Sequence, residues 1–289
     1  MEKVFLYLFL LVSGTVTYAQ SVKGKLQFIE GQKLTIQIDL KTVVTQQAMG
    51  NAIDFSSEGS AVHSYKVSAV SDNSTTLLHE NEKLNFDFEG MGQKHSFNSE
   101  NPDDTASQFG GYVKNILGMK YELTIDGTGK VLQAKPVKIE VVNPDEKTTM
   151  VAGMIKDITA MAYPPRKGDP SFFKVLPAKE INRGESWTDS IKTETGNLKT
   201  TYTLSDITDS TIVVTFTSTG SGTSKTMMMG REAVTTMNNN SSGNIVIEGT
   251  TGILIRKTIT TESNGTMEAM GGTMPVTSRN SITIHVKSE

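Results

Sequence analysis

The chain has 289 residues, a formal net charge of −3 and no cysteine. A near-balanced surface with no Lys/Arg run excludes nucleic acid and electrostatic membrane docking as partners. The missing cysteine excludes a disulfide framework and a lipid-modified bacterial N-terminus, so stability has to come from one large core or two modest ones.

The N-terminus opens Met1-Glu2-Lys3, runs through nine apolar positions from Val4 to Val12, and closes on Thr17-Tyr18-Ala19 before Gln20. A charged start, a short apolar stretch and a small-x-small site read as a secretory signal peptide over residues 1–19, cleaved after Ala19. Nine apolar residues fall short of the roughly 20 that a membrane-spanning helix needs. No later stretch reaches that length, so an exported protein, periplasmic or secreted and without a transmembrane anchor, is expected.

From there the period is two. Leu34, Ile36, Ile38 and Leu40 alternate with polar residues, as do Leu84, Phe86 and Phe88, then Val137, Ile139 and Val141, Val214 and Phe216, and Ile282, Ile284 and Val286. Alternation over four to eight residues marks strands with one buried face, and antiparallel sheet with one wet face follows. Turn chemistry punctuates the runs at Ser71-Asp72-Asn73, Gly90-Met91-Gly92, Asp126 to Gly129, Ser218-Thr219-Gly220 and Gly249 to Gly252, and Asn238 to Gly243 reads as a loop tip.

Two segments switch to helical period. Asn101-Pro102-Asp103-Asp104 places a cap, a first-turn proline and acids ahead of Phe109, Tyr112, Val113, Ile116 and Leu117, so a helix is expected near 101–118. Asn143-Pro144-Asp145-Glu146 begins a second one near 143–163, whose apolar stripe is Met150, Val151, Met154, Ile155, Ile158, Met161 and Ala162, and Pro164-Pro165 stops it.

The halves also resemble one another in order. Tyr65 to Thr75 matches Tyr202 to Ile212, Ile125 to Leu132 matches Ile247 to Leu254, and Gly31-Gln32-Lys33-Leu34 matches Gly184-Glu185-Ser186-Trp187. The predicted fold is mainly β with two helices: duplicated antiparallel β-units forming curved sheets or a half-barrel. The expected division is a first unit over 20–142, a helical connector over 143–169 and a second unit over 170–289.

Chemistry is harder to find. Ser171-Phe172-Phe173-Lys174 and Ser71-Asp72-Asn73 mimic strings of penicillin-recognising enzymes, but in reversed order and with no K-T-G. His63, His79, His95 and His285 are too scattered to set a metal site by spacing, though His63 and His79 can face one another across the hairpin that turns near Asp72. Asp87 and Glu89 share a strand face, as solvating carboxylates do. Of fourteen methionines, Met267, Met270 and Met274 have a spacing that permits Cu(I), yet with no histidine or cysteine nearby the ordinary use is a soft apolar lining. The expectation is a non-enzymatic protein with no metal and no cofactor.

Gly31, Tyr65, Asp126, Gly129, Gly184, Tyr202, Glu248 and Gly252 carry repeated G-x-x-Φ, Y-x-Φ-S and D-x-x-G-x-Φ strand pairs, Φ being apolar. In these the chain resembles exported bacterial β-rich proteins of unknown function. More remotely it resembles the periplasmic lipoprotein carriers, whose curved sheet wraps a helix around an apolar cavity; that resemblance brings no catalytic residues. The amphipathic helix between the two β-units, with methionines on its apolar face, leads to the expectation of a lipid-like or other hydrophobic ligand held between sheet and helix, with Met150, Met154, Ile155, Ile158 and Met161 as ligand-binding residues. The same stripe serves equally to complete a dry core. The alternative function is a structural or interaction module binding an envelope protein or a glycan. Asp104-Thr105-Ala106, Asp189-Ser190-Ile191 and Asp209-Ser210-Thr211 match a three-residue O-glycosylation pattern that suits this alternative.

Overall fold

The structure is a computed structural model, and it describes residues 21–48, 51–90, 92–106, 108–138, 152, 155–228, 231–269 and 271–289. Residues 1–19, expected to form a signal peptide, and Met150, Met154 and Met270 lie outside the described residues.

The protein is mainly β, its strands all antiparallel. After the short β1 (Ser21–Val22), the chain enters the middle of a twelve-stranded sheet as β2 (Lys33–Ala48). It meanders outward through β3 (Asn51–Val70), β4 (Ser74–Gly90) and β6 (Lys120–Asp126) to an edge at β7 (Val131–Lys138), with β5 (Gln93–Asn98) paired on the far part of β4. A crossover carries it to the opposite edge. It passes β8 (Ile181–Asn182), which pairs with β1, and then returns inward through β9 (Ser186–Thr193), β10 (Gly196–Ile207), β11 (Thr211–Met228), β12 (Arg231–Glu248) and β13 (Leu254–Ala269). The last strand, β14 (Gly272–Ser288), pairs with β2 and joins the halves. The edges β7 and β9 do not meet, so the sheet stays open.

Helices α1 (Pro102–Ala106) and α2 (Gln108–Gly118) stand where the cap signal placed them, the Asn101 side chain accepting from the Asp103 N–H at 3.1 Å. The second helix is described at residues 155–159 and tightens into a 3-10 turn at Ala160–Ala162 before Pro164. No helix of the described residues is long and apolar enough to cross a membrane.

Matching hydrogen bonds mark the duplication. Gly31 donates to the Val67 carbonyl as Gly184 donates to that of Leu204, and Val67 and Leu204 donate back to Gln32 and Glu185. Both glycines have φ near +85°, at 84 and 86°, a region that costs a side chain strain and costs glycine none. A bulge follows each, at Val67/Ala69 and at Leu204/Asp206. The next turns are closed by matching hydroxyl pairs, Ser71 with Ser74 and Thr208 with Thr211, both at 2.9 Å. The turns at Asp126 to Gly129 and Glu248 to Gly252 both dock the strap before β2: Leu26 donates to Gly127 O and Gln27 to Thr251 O.

In the first of these turns Asp126 Oδ1 accepts from the Thr128 N–H, the Thr128 hydroxyl and the Lys130 N–H at 2.8, 2.7 and 3.0 Å. Burial pushes its carboxyl upward, but these bonds outweigh it and hold the pKa below its ordinary value. Asp126→Ala is therefore expected to cost about 1 kcal/mol in urea unfolding. Glu248→Ala should cost less, since in the equivalent turn that carboxylate accepts from the Thr251 hydroxyl alone among the described bonds.

One sheet face is the core. Strand register lines up Leu204, Val214, Ile245, Lys257, Ile284, Ile38, Ala61 and Leu84 in one row across β10 to β14 and β2 to β4. All but Lys257 are buried. Farther along the strands the same face turns polar, through Thr200, Ser218, Ser241, Thr261, Asn280 and Thr42.

Here the structure corrects the sequence reading: Ser218-Thr219-Gly220 is not a turn and Asn238 to Gly243 is not a loop tip. Both lie inside long strands. Neighbouring hydroxyls satisfy each other laterally, Thr200 with Ser218 at 2.9 Å and Ser241 with Thr261 at 2.8 Å, so polar composition does not end the ladder. The glycines mark where strands crowd: a Cβ on Gly243 would stand 1.9 Å from the Thr258 carbonyl and 2.8 Å from the Phe216 ring. Val137, expected on a buried face, is exposed on the edge strand β7.

Candidate binding face

The helical segment at 155–162 lies on the inner face. Ile155 and Ile158 are buried and Met161 is half-buried against the core, so the structure brings these three of the five expected residues to the sheet. Ile158 seats on Gly59, where a Cβ would come within 2.8 Å of its Cδ1. The residual space in this seam, lined by Leu40, Phe86, Phe88, Ile155 and Ile158, is about 10 Å³, room for at most one water molecule. The seam is filled.

Two polar contacts clamp the segment from below. His63 Nε2–H donates to the Ile158 carbonyl at 2.9 Å and the Tyr121 hydroxyl donates to the Met161 carbonyl at 3.0 Å. Behind them, Tyr65 donates to the Tyr121 hydroxyl at 2.8 Å and His79 Nε2–H donates to His63 Nδ1 at 3.3 Å, leaving His79 Nδ1 buried with no partner among the described residues. Burial lowers the pKa of both histidines, that of His79 to about 3, and raises those of Tyr65 and Tyr121. All four groups are neutral at neutral pH. The facing of His63 and His79 was legible from their distances to the Asp72 turn; the clamp on the helix was not, because nothing local in sequence links β3 to residue 158.

Beyond the helix no described residue covers the inner face. A concavity of about 430 Å³ opens there, with Lys156 on its helical rim and Ile191, Leu198, Met237, Asn239, Ser263 and Ser278 among its lining. Ile191 and Leu198 are 55% and 39% exposed, so the floor is partly apolar and wet. Asp157 accepts from the Asn280 amide at 3.3 Å, tying the helix to the boundary between its own seat and this floor. At the far end Gln46, buried, points its amide at Met274 Sδ, 3.4 Å away, and at Met267 Sδ, 3.9 Å away. These two methionines thus face an amide.

The opposite face holds a shallow cleft of about 540 Å³ with Asp39, Lys41, Glu58, Ser60 and Asp87, in which Lys41 bonds Glu58 at 2.5 Å. Asp87 and Glu89 are both exposed on this wet face. No cluster of three or more His, Cys, Asp or Glu residues with metal-binding geometry occurs among the described residues.

A model of a family of unknown function, DUF6263, matches residues 170–254, the stretch from before β8 to the start of β13. No curated protein matches the chain. Among solved structures the chain is similar to one titled for lipid–protein interactions in lipovitellin, at 9% identity and a TM-score of 0.45 over 90% of this chain and 26% of that one. It is also similar to Salmonella typhi OmpF, solved with daunomycin, at 8% identity and a TM-score of 0.27 over 91% of this chain and 100% of the other. An outer membrane channel from Pseudomonas putida F1 follows at 6% identity and a TM-score of 0.22, over 91% and 98%. The chain spans about a quarter of the lipovitellin chain it matches, 26% of its length.

Proposed function

We propose that this is an exported, non-enzymatic binding protein that takes a lipid-like or other hydrophobic ligand on the inner face of its sheet beside the helical segment. The observation that carries the reading is the floor of about 430 Å³ next to Lys156, where Ile191 and Leu198 stand exposed and Met237 half-buried among Ser, Thr and Asn side chains, on the face that elsewhere forms the core. Concave, largely apolar sites with a few placed polar groups are the usual form of small-molecule pockets. With the seam over Gly59 filled, Ile155, Ile158 and Met161 act as the wall and anchor of the site, and a ligand passing beneath them has to lift the helix. Export is supported by the N-terminal apolar run and its Thr17-Tyr18-Ala19 ending.

The test is native mass spectrometry of freshly purified full-length protein with lipid extraction, followed by titration of the delipidated protein with a fluorescent acyl probe. Wild type is expected to carry and rebind an acyl ligand, and Leu198→Glu to weaken rebinding at least tenfold while far-ultraviolet circular dichroism stays unchanged. Wild type that carries no lipid and ignores the probe overturns the proposal.

A second reading, docking of another envelope protein, is favoured by β9. Among the described residues it pairs with β10 alone, and it is exposed along its length except at Trp187. Such a free edge accepts an added strand. A pull-down that tracks Ile191→Pro rather than Leu198→Glu would favour it.

A further inference from the structure

Three Asp-Ser/Thr-x tripeptides match an O-glycosylation pattern, and the structure separates them by what their side chains already do. Asp104-Thr105-Ala106 lies in α1, where Asp104 accepts from the Asn98 N–H at 2.8 Å and the Thr105 hydroxyl donates to the Pro102 carbonyl at 2.8 Å. Both side chains are half-buried. Asp189-Ser190-Ile191 lies within β9, where Asp189 pairs with Thr200 and Ser190 with Lys199. Successive side chains of a strand point to opposite faces, so this aspartate and this serine stand on different sides of the sheet. An enzyme that reads the acid and modifies the hydroxyl would have to reach both sides at once.

Asp209-Ser210-Thr211 differs from both. Asp209 and Ser210 form the apex of the turn between β10 and β11; both are exposed, and neither side chain has a partner among the described residues. The turn is shaped without them: the Thr208 N–H donates to the Thr211 carbonyl at 2.8 Å, the Thr211 N–H to the Thr208 hydroxyl at 2.9 Å, and the Gly249 N–H to the Ser210 carbonyl at 2.8 Å. Acid and hydroxyl are thus held out together on an ordered loop tip, where bulky additions are tolerated. The duplicated turn, Ser71-Asp72-Asn73-Ser74, supplies the comparison. It is closed by the same bonds, from the Ser71 N–H to the Ser74 carbonyl at 2.8 Å and from the Ser74 N–H to the Ser71 hydroxyl at 3.2 Å. It keeps the aspartate but carries Asn73 where the second turn carries Ser210. The fold therefore needs no hydroxyl at the apex, and Ser210 is left without a structural duty.

We infer that Ser210 is the acceptor of an O-linked sugar, with Asp209 and Thr211 read by the transferase that attaches it. In that step Ser210 Oγ attacks the anomeric carbon of a sugar carried on a diphosphate donor. The new carbon–Oγ bond replaces the carbon–oxygen bond to the donor, the diphosphate leaves with the electron pair, and the hydroxyl proton passes to a base of the transferase. The modification goes beyond the binding reading proposed above and shares only its export.

The experiment is intact-mass measurement, with fragmentation of the modified peptide, on full-length protein expressed in and purified from its native host. Wild type is expected to weigh the chain from Gln20 plus a whole number of sugar residues, with the increment on Ser210. Ser210→Asn copies the first turn, so it should lose the increment with its circular dichroism unchanged, whereas Ser210→Thr should keep it. Asn73→Ser combined with Ser74→Thr writes Asp-Ser-Thr into the first turn and should add a second increment of the same mass. The bare mass of the chain from Gln20 overturns the modification and leaves export standing; the bare mass of the whole chain from Met1 overturns both. An increment that survives Ser210→Asn and disappears in Ser190→Ala or Thr105→Ala overturns the assignment to this turn.

Discussion

Ile158→Ala is expected to lower stability by about 2–5 kcal/mol, the range for emptying a buried isoleucine site that cannot collapse. Ile158 is fully buried, with a relative exposure of 0%, and its Cδ1 rests on Gly59 in a seam with about 10 Å³ to spare. The sheet below is fixed by ladders on both sides of β3, so the walls have little freedom to close in. Urea unfolding followed by circular dichroism should show the midpoint falling with the slope preserved. The reverse change checks the same seam from the sheet side. Gly59→Ala drives a methyl into Ile158 and should cost about 1–3 kcal/mol by overpacking. A cost below about 1 kcal/mol for Ile158→Ala would show that the helix rests loosely on the sheet.

Much of this architecture is written in the order of residues. The alternation of Leu34 to Leu40 and of Leu84 to Phe88 is legible because each strand has one buried face and a period of two. The duplication is legible because Gly31 and Gly184 hold a backbone conformation that few other residues tolerate, so the motif stays recognisable around them. Two things escaped. The polar interiors of β11 and β12 look like turns, since their partners Thr200 and Thr261 lie about 20 residues away in sequence and only pairing reveals the lateral bonds. Lys257 looks like a solvent-facing residue after Leu254, Ile255 and Arg256. A bulge intervenes: Ile247 pairs with Leu254 and Val246 with Arg256, so Ile255 is the extra residue and Lys257 is turned inward. A one-residue slip exchanges the faces of everything that follows it. A similar irregularity at Val62/His63 makes Glu82 the extra residue of β4 and turns His79 inward, opposite a β3 face on which His63 alternates regularly with Ala61 and Tyr65.

Those two histidines make the protein sensitive to mild acid. Both are buried, and burial disfavours the imidazolium in each; for His79 the neighbouring His63 adds to the effect and the pKa falls from 6.5 to about 3. Around the pair stand Tyr65 and Tyr121, both neutral, and the Glu82 carboxylate, which favours the His63 cation but is outweighed by burial. A proton on His79 would sit on Nδ1, which has no acceptor among the described residues, and would place charge beside His63. The folded state therefore binds fewer protons than the unfolded chain throughout the interval between the two pKa values. Stability is complete above pH 6.5 and declines as pH falls toward 3. For His79 alone the expected loss is about 2 kcal/mol between pH 7.5 and 5, and about 3 kcal/mol by pH 4. The carboxylates whose pKa values are lowered, Glu82, Asp126 and Glu185, release stability in a lower window, from their ordinary values of 4.5, 3.8 and 4.5 downward. The decline between pH 7.5 and 5 thus isolates the histidines. His79→Phe keeps an aromatic ring against Tyr121, removes the titrating group and should flatten that part of the profile in urea unfolding. His63 donates to the Ile158 carbonyl, so the helix is the first element expected to loosen, read as faster amide exchange at residues 155–162 at pH 5 than at pH 7.5 after correction for intrinsic rates. Equal slopes for wild type and His79→Phe over this window would show that the pair does not titrate as a buried unit.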